Sequence, residues 1–408
     1  MNKWLLYLAL ILSMTATLTA QEQTPYLLGI EQFSPTILEK TTGKRKARVG
    51  LITNQSGKDQ KGNRSLDILL KKGVTVTTIF APEHGINGMV KAGKAVANEI
   101  DQKTKLPIVS LYTLNKKNTD VSYKNSIDAF IFDIQDVGMR HYTYSATLLA
   151  VLEIASKQDI PLIVLDRPNP LGAVIEGPVS SVKNSFLASV PILLRHGMSI
   201  GEIAQYCNKY VLKKAAKLHI VPLANYKRTQ TVSTLIAPLS PNIQTIQGCY
   251  GYSFLGLIGE IQPFDVGVGT ENAFKIIGLP ATELSKDQQK KLVTLLINNN
   301  IGAQPLEYYR RKKAYRGVKL NILNINNFSA FNTFLAIIHF CKTERIPVIF
   351  SKDFNAALGD SFMQAYFNGT QTFEQVCTKI NADLKTFYSK AKSAFIYDPL
   401  PKMILSKE

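Results

Sequence analysis

Short β-rich apolar runs alternate with helical patterns over the first half of the chain. The run "ARVGLITN" is followed by the helical spacing of "RSLDILLKKG" and then by the strand-like "VTVTTIF". Further along come "LPIVSLY", "DAFIFDI", the helical "SATLLAVLEIASKQ" and "IPLIVLD". Strands and helices that alternate with short links predict an α/β fold, with a parallel sheet and helices on both of its faces.

The second half of the chain has a looser pattern and predicts a separate unit. Ser199 followed by Glu202 has the spacing of a capping box at the start of a helix. Beyond "LHIVPLANYKR" come Gly-rich and aromatic loops, and then a second set of helices and strands. A chain of 408 residues is long enough for two domains. We therefore predict one domain at residues 25–230 and a smaller α/β domain at 231–408.

The first twenty residues, "MNKWLLYLALILSMTATLTA", have the features of a secretory signal peptide. They carry one Lys, an apolar run and small residues up to Ala20, and the run is too short and wrongly flanked for a spanning helix. Nothing later in the sequence resembles a membrane span. The sequence therefore predicts cleavage near Ala20 and a mature chain that is exported to the periplasm or outside the cell.

The net charge of +18 and the four cysteines exclude several classes of protein. The lysines are scattered rather than gathered on one stripe, which together with export argues against a nucleic-acid partner. A solvated basic surface is the favoured interpretation, and association with negatively charged cell-wall material is the alternative. The cysteines match neither a zinc pattern nor a disulfide scaffold and are expected to be structural or incidental thiols.

Polar clusters follow four of the predicted strands, each at the strand's carboxyl end. Open parallel sheets bind ligands beyond these ends, so we expect the four loops to meet at one crevice. Polar loops that merely cap helices are the simpler interpretation, but they would not need to follow four strands. The candidate binding residues in these loops and in "LLRHGMS" are Asn54, His84, Asp133, Gln135, Asp136, Arg140, Tyr142, Asp166, Arg167, Asn169, Arg195 and His196.

The motifs of several large enzyme classes are missing. No Gly-rich phosphate loop follows the first strand, and neither G-x-S-x-G nor H-E-x-x-H occurs. Asp133, Asp136, His84 and His141 are conceivable metal ligands, but His141 directly follows Arg140, a poor neighbour for a cation. We therefore predict no cofactor, and a metal-dependent hydrolase is the less favoured alternative.

Two glutamates stand on predicted tight turns, Glu83 in "FAPEHG" and Glu176 in "VIEGPV". Carboxyl groups held beside apolar walls have raised pKa values and suit general acid catalysis, and glycoside cleavage needs two such groups. Each glutamate alone could equally cap a helix or a turn. The arginines Arg140, Arg167 and Arg195 pair with the aspartates in the simpler interpretation and clamp a substrate carboxylate in the functional one.

Four motifs together resemble one bacterial family. "FAPEHGINGM", "FDIQDVGMRHYTY", "VLDRPNPLG" with "IEGPV", and "PILLRHGMSIGEIA" occur in the same order in the exo-β-N-acetylmuramidases, a family formerly known as a domain of unknown function. The resemblance covers residues 27–400 and is densest up to residue 206. It implies a Rossmann-like N-terminal domain with the active site, a C-terminal domain that completes the cleft, and neither a cofactor nor a metal.

The resemblance also implies an activity. Family members hydrolyse a terminal N-acetylmuramic acid from the non-reducing end of peptidoglycan fragments in cell-wall recycling. The substrate would be a muramic-acid-terminated disaccharide or oligosaccharide, and the enzyme a monomer or homodimer. Glu83 and Glu176 match the family's two cleft glutamates, and Arg140, Arg167 or His196 would bind the lactyl carboxylate.

One segment departs from the family's pattern. Many members carry "GT…EGRGTT.PF", whereas this chain has "YGYSFLGLIGEIQPFDVGVGTENAF" and lacks the arginine of that segment. A related glycosidase with altered sugar specificity, or a cell-wall glycan-binding protein without turnover, therefore remain alternatives. The spacing of the two carboxyl groups decides between a retaining and an inverting mechanism.

Overall fold

The computed structural model describes residues 25–91, 93–94, 97–111, 123, 125–183 and 185–407. The predicted signal peptide at residues 1–20 lies outside the described residues. Among the described helices, none has the length and apolar character needed to cross a membrane.

A seven-stranded sheet forms the centre of the first half of the chain. Its strands lie in the order β3-β4-β2-β1-β5-β6-β9, and every neighbouring pair is parallel except the antiparallel pair of β3 and β4. The predicted α/β fold with a mostly parallel sheet is therefore confirmed. The strands are β1 (Arg48–Thr53), β2 (Thr75–Ala81), β3 (Glu99–Ile100), β4 (Pro107–Ser110), β5 (Ala129–Asp133), β6 (Leu162–Leu165) and β9 (Leu218–Val221).

Helices cover the sheet on both faces, so its central strands are apolar along their length. Every residue of β5 and of β6 is buried, as expected for strands covered from both sides. The capping box predicted at Ser199 and Glu202 is present at the start of α5. The helices of this half are α1 (Gly29–Gln32), α2 (Pro35–Thr42), α3 (Ser65–Lys71), α4 (Tyr144–Gln158) and α5 (Ile200–Tyr210).

A small sheet joins the first half of the chain to its C-terminal segment. Its middle strand β7 (Val174–Val179) pairs antiparallel with β8 (Leu193–Arg195). On its other side it pairs in parallel with β15 (Lys402–Met403), which comes from the last residues of the chain. The C-terminal segment therefore returns to the first half of the molecule.

The second half of the chain is a mixed α/β region. Two further antiparallel sheets have the strand orders β11-β13-β12 and β10-β14. Their strands are β10 (Ile261–Gln262), β11 (Ile276–Pro280), β12 (Gly302–Arg310), β13 (Lys313–Asn321) and β14 (Ile349–Phe350). The helices are α6 (Ile246–Ile258), α7 (Lys286–Asn298), α8 (Ala330–Thr343), α9 (Phe354–Leu358), α10 (Phe362–Phe367) and α11 (Phe373–Ala391).

One apolar core runs from the central sheet into the second half. Phe132 of β5 belongs to the same buried cluster as Phe254 of α6 and Phe334 of α8. The opposite face of the sheet has its own cluster around Leu51 and Ile79. The predicted division after residue 230 falls in the irregular segment between β9 and α6. Because the two halves share a core, residues of both halves pack around the loops that follow β1 and β5.

Candidate active site

The order of the central sheet reverses at β1, which lies between β2 and β5. Thr53 at the end of β1 pairs with Asp133 at the end of β5, and the Thr53 hydroxyl donates to the Asp133 carbonyl at 3.0 Å. The chain after β1 leads to β2 on one side, and the chain after β5 leads to β6 on the other, so the two loops start side by side and then diverge. In doubly wound sheets, the crevice at such a switch point is where ligands bind.

A tight turn after β2 carries Glu83 to this crevice. Gly85 and Gly88 have positive φ, and so does His84 at 71°, a conformation that costs a non-glycine residue about 1–3 kcal/mol. His84 Nδ1 donates to the Val90 carbonyl at 2.6 Å. A side chain at position 88 would lie 2.3 Å from the Gln55 side chain, so the glycine lets the turn pack against the loop after β1.

The Glu83 side chain is buried, and a hydrogen bond holds one of its two carboxylate oxygens. One carboxylate oxygen accepts a hydrogen bond from the Gly93 backbone N–H at 2.8 Å, and the residue is 5% exposed. The charge of Glu83 adds to burial in raising the pKa values of Tyr144 and Tyr252. Glu83 is therefore within electrostatic reach of both tyrosine hydroxyls.

Asp136 brings a second carboxylate to the same place from the loop after β5. Its Oδ2 accepts from the Gly138 N–H at 2.8 Å and lies 3.4 Å from His196 Nε2. Its charge also raises the pKa values of Tyr144 and Tyr252, again after burial as the larger cause. The carboxylates of Glu83 and Asp136 thus act on the same two hydroxyl groups.

Three tyrosines, Tyr142, Tyr144 and Tyr252, form a cluster beside these carboxylates. The rings of Tyr142 and Tyr144 are 4.7 Å apart, and those of Tyr142 and Tyr252 are 5.8 Å apart. The hydroxyls of Tyr142 and Tyr144 both donate to the Leu239 carbonyl, at 2.6 and 3.1 Å. Burial raises the pKa of all three tyrosines, which keeps them neutral hydrogen-bond donors near pH 7.

Buried polar atoms without a hydrogen-bond partner among the described residues gather around this cluster. Buried polar groups are nearly always paired, so unpaired ones mark a place where a ligand would supply the partner. Burial and the charge of Arg140 lower the pKa of His141 to about 3, so its ring is neutral. The unpaired atoms here are Asn54 Nδ2, Gln55 Oε1, Asp136 Oδ1 and both ring nitrogens of His141.

His196 supports Asp136 from behind. Its Nδ1 accepts from the Met198 N–H at 3.1 Å, which assigns the ring hydrogen to Nε2, the atom that faces Asp136. The imidazole is fully buried. His196 therefore orients the Asp136 carboxylate and does not itself face the crevice.

Two predicted site residues instead pair with each other below the crevice. Arg167 Nε and a terminal nitrogen donate to the two oxygens of Asp133 at 2.5 and 2.9 Å, and both side chains are buried. The Ser65 hydroxyl also donates to Asp133. The simpler interpretation made from the sequence, an internal ion pair, is therefore the one that the structure shows for Arg167.

Asp166, Gln135 and Asn169 hold the loops in place. Asp166 accepts from the Gly201 N–H at 2.7 Å at the start of α5 and from Tyr397 at 2.5 Å, and burial raises its pKa to about 6. The amide of Gln135 donates to the carbonyls of Asp136 and Pro168, each at 2.8 Å. The amide of Asn169 donates to the Met198 carbonyl at 3.0 Å.

Glu176 does not lie with Glu83 in the strand-edge cluster. Its Oε1 accepts from Arg195 at 2.8 Å and from the Ala330 N–H at 2.9 Å. Its Oε2 accepts from the Ser329 hydroxyl and from the Phe331 N–H at 3.2 Å. With 1% exposure and four donors, the carboxylate caps α8 and has no access to a substrate. Asp136, not Glu176, is the buried carboxylate that lies beside the tyrosine cluster.

Arg140 is also absent from the site. Its guanidinium donates to four backbone carbonyls, those of Pro178 and Ile192 at 2.8 and 3.1 Å and those of Ala357 and Leu358 at 3.1 and 2.6 Å. Because burial is not offset by an acidic partner, the pKa of Arg140 falls to about 9. Arg140 therefore joins the two halves and binds no substrate carboxylate.

We call the seam the set of buried charged residues of the first half that hydrogen-bond to the second half. Glu202 and Arg228 form a further pair at 2.5 Å, and Arg228 also donates to the Tyr397 carbonyl at 3.0 Å. The seam consists of Arg140, the pair Glu176–Arg195 and the pair Glu202–Arg228.

Three contributors to the site were missed by reasoning from the sequence. Gln55 follows Asn54 directly and could have been found by the same strand-end argument. Tyr252 comes from α6 in the second half and stacks on His141 with ring centres 4.9 Å apart, and only its place among glycines in "CYGYSFLG" hints at a special position. Leu239 acts through its backbone carbonyl, for which side-chain patterns give no signal.

The remaining polar groups do not form a metal site in the part of the chain that the structure describes. No group of three or more His, Cys, Asp or Glu side chains there is arranged to hold a metal ion. The four cysteines are buried and form no disulfide.

Two carboxylates above the switch point of a Rossmann-like sheet, with neutral tyrosines beside them, are the groups that a glycoside hydrolase needs. Models of the exo-β-N-acetylmuramidase NamZ match the chain in its N-terminal part at residues 49–247 and in its C-terminal part at residues 250–397. The peptidoglycan β-N-acetylmuramidase NamZ of Bacillus subtilis (strain 168) is 33% identical over 381 residues, which cover 90% of this chain and 91% of that protein. The chain belongs to the NamZ exo-β-N-acetylmuramidase family.

Solved structures of similar proteins have the same fold. One DUF1343 family protein from Bacteroides fragilis NCTC 9343 superposes with a TM-score of 0.76 and is 26% identical, over 91% of this chain and 99% of that one. A second protein of that family and organism gives a TM-score of 0.70 at 25% identity, over 92% and 99% of the two chains. The two-part α/β architecture is therefore that of the DUF1343 proteins.

Proposed function

We propose that the chain is an exo-acting glycoside hydrolase that releases N-acetylmuramic acid from the non-reducing end of peptidoglycan fragments. The observation that carries this proposal is geometric: the turn with Glu83 packs on Gln55, and Gln55 donates to the same Leu239 carbonyl that binds the tyrosine cluster beside Asp136. Hydrolysis of a glycosidic bond needs one carboxyl group to protonate the leaving oxygen and another to act on the opposite face of the sugar.

Glu83 is the candidate acid and base. The Gly93 N–H fixes one of its oxygens and leaves the other to reach the glycosidic oxygen. Asp136 is held by Gly138 and His196 through Oδ2, while Oδ1 is without a partner among the described residues and is suited to act at the sugar or on a water molecule. The neutral tyrosines and the Asn54 amide would bind hydroxyl and acetamido groups.

The lactyl carboxylate of muramic acid needs a cation that is not already occupied. Arg140 and Arg167 bind buried carbonyls or Asp133, so neither serves. The exposed Lys91 and Lys94 lie within two positions of Gly93, the residue whose N–H binds Glu83. We include in the proposal that one of these lysines meets the lactyl group.

A chromogenic β-N-acetylmuramic acid glycoside tests the proposal directly. The purified chain should release the chromophore, and Glu83→Gln should lower kcat by about 10³-fold because the acid can no longer give a proton. Glu39→Gln, an exposed acid on α2, is the matched control and should retain the rate. Tight binding of the glycoside without any release by the wild-type chain would instead indicate a binding protein.

The metal-dependent alternative has its own test. Exhaustive chelation should leave the rate of glycoside release unchanged, because the proposed mechanism uses only carboxyl groups. Loss of the rate on chelation, and its return with a divalent metal, would contradict the two-carboxylate proposal.

Export to the periplasm or the cell exterior is part of the proposal, since peptidoglycan is found there. The support for it is the leader-like sequence that ends at Ala20. N-terminal sequencing of the chain recovered from cell fractions should show cleavage near Ala20. A full-length chain that stays in the cytoplasm would contradict this part of the proposal.

A further inference from the structure

The second half of the chain carries another concave surface, a groove of about 880 Å³. It is bounded by the end of α7, by α8, by the start of α11 and by the C-terminal segment. None of the residues that line it belongs to the candidate active site. Its volume is in the range of small-molecule and oligosaccharide sites. We call it the asparagine groove, after Asn298, Asn299, Asn300, Asn326, Asn327 and Asn332 in its lining.

Several amides of the groove are held in fixed orientations. Asn299 donates to the Leu295 carbonyl at 2.8 Å, and Asn300 donates to the Asn327 carbonyl at 3.1 Å. A side-chain amide offers donors and an acceptor, and one that is already fixed loses little conformational entropy when a ligand binds. Such a lining suits a ligand rich in hydroxyl and acetamido groups.

An aromatic patch forms part of the same wall. Phe373 at the start of α11 is half-buried, and its ring centre is 5.4 Å from that of His339. His339 is in turn fixed by a 2.8 Å hydrogen bond between its Nδ1 and the Tyr366 hydroxyl. The apolar face of a pyranose ring packs on rings of this kind.

The charges at the groove favour an acidic ligand. Glu344 in the wall is neutralised by Lys291 at 2.7 Å. Lys402 and Lys407 are exposed lining residues, opposed by the exposed Glu374. The lining holds two lysines and two glutamates, and Lys291 beside the groove offsets Glu344, so one positive charge is left over. A ligand that carries carboxylates is therefore preferred to a neutral one.

We propose that the asparagine groove binds a strand of an acidic amino-sugar polymer at a site separate from the active site. The choice of peptidoglycan as this polymer rests on the proposed function. An exo-acting enzyme works only at strand ends, and a second site that holds a strand raises the effective concentration of ends at the active site.

Co-sedimentation of the full chain with purified insoluble peptidoglycan tests this proposal. The wild-type chain should sediment with the polymer, and the double variant Lys402→Ala/Lys407→Ala should bind about tenfold more weakly. Asn298→Asp adds a negative charge that repels the acidic polymer and keeps the side-chain volume, so it should also weaken binding. The matched control is Lys61→Ala/Lys313→Ala, which removes two exposed lysines elsewhere and should bind like the wild type.

Two further measurements make the outcome decisive. All these variants should cleave the small chromogenic glycoside at the wild-type rate, since the groove lies outside the active site. Chitin, a neutral amino-sugar polymer, should sediment less chain than peptidoglycan does. Wild-type-like binding by the groove variants, an equal loss in the control, or equal binding of chitin would overturn the proposal. Sedimentation decides it whether or not the glycoside is cleaved.

Discussion

The candidate active site at the edge of the central sheet and the seam contain the same types of buried residue. They differ in how the carboxylates are hydrogen-bonded. In the seam, Glu176 accepts four hydrogen bonds and Arg140 donates to four carbonyls. Unpaired buried atoms occur in both regions: Asp136 Oδ1 and the ring nitrogens of His141 at the strand edge, and the Nε atoms of Arg140 and Arg195 in the seam. The carboxylates differ, because both oxygens of Glu176 accept hydrogen bonds whereas Asp136 keeps one oxygen without a partner among the described residues. Burial of a charged residue therefore does not distinguish a structural residue from a catalytic one, and a buried carboxylate oxygen that is still free to accept is the stronger sign of a ligand site.

Removing the charge of Glu176 should have the largest effect on stability. Glu176→Gln leaves the buried Arg195 without a countercharge, and losing one partner of a buried pair costs about 3–5 kcal/mol. Thermal unfolding should show a strongly lowered Tm, while the protein that remains folded at low temperature should keep its kcat. A wild-type Tm with an abolished kcat would instead place Glu176 in the chemistry.

Asp136→Asn should instead lower kcat and leave Tm nearly unchanged. We expect kcat for the chromogenic glycoside to fall by about 10²–10³-fold, because the second carboxylate is lost, while Tm changes little. Asp159→Asn, an exposed aspartate at the end of α4, serves as the control and should retain kcat. Unchanged turnover in Asp136→Asn would show that another group acts at the sugar.

His141 should make stability depend on pH. Its pKa is about 3 in the folded chain and about 6.5 when unfolded, so the unfolded state binds the extra proton first. The stability that the neutral His141 ring contributes is therefore fully present above pH 6.5 and is lost as pH falls toward 3. The loss attributable to His141 is about 2 kcal/mol by pH 5.

Denaturant titrations at pH 7 and pH 5 measure this effect. His141→Phe should abolish that part of the pH dependence, since neither ring nitrogen has a partner to lose among the described residues. His219→Gln, on the exposed side of β9, should leave it intact. An equal pH dependence in the wild type and His141→Phe would contradict the neutral, buried ring.

The tyrosine cluster should give the smallest effect. Tyr144→Phe removes one of the hydrogen bonds to the Leu239 carbonyl, and that carbonyl keeps its bond from Tyr142. We expect a loss of about 1 kcal/mol in the binding of N-acetylmuramic acid, measured by calorimetry, with little change in Tm. A loss of kcat as large as that of Glu83→Gln would assign Tyr144 a direct role in proton transfer.

The sequence predicted the sheet correctly because strands follow from local patterns, and the same patterns led to the predicted place of the site. Apolar runs such as that of β5 identify strands, and the switch-point rule then locates the crevice beside Asn54 and Asp136. The roles of Glu176 and Arg140 depend on partners from α8 and α9, more than a hundred residues away in the sequence. Periodicity contains no information on such pairings, so structural and catalytic charges looked alike.

The pairing of β15 with β7 has a consequence for how the protein is made. The residues that complete this small sheet follow their partner strand by more than two hundred positions, so the ribosome adds them much later. The edge of β7 therefore stays open until Lys402 and Met403 have been synthesised. Fragments that end before Lys402 keep this edge unpaired and should aggregate.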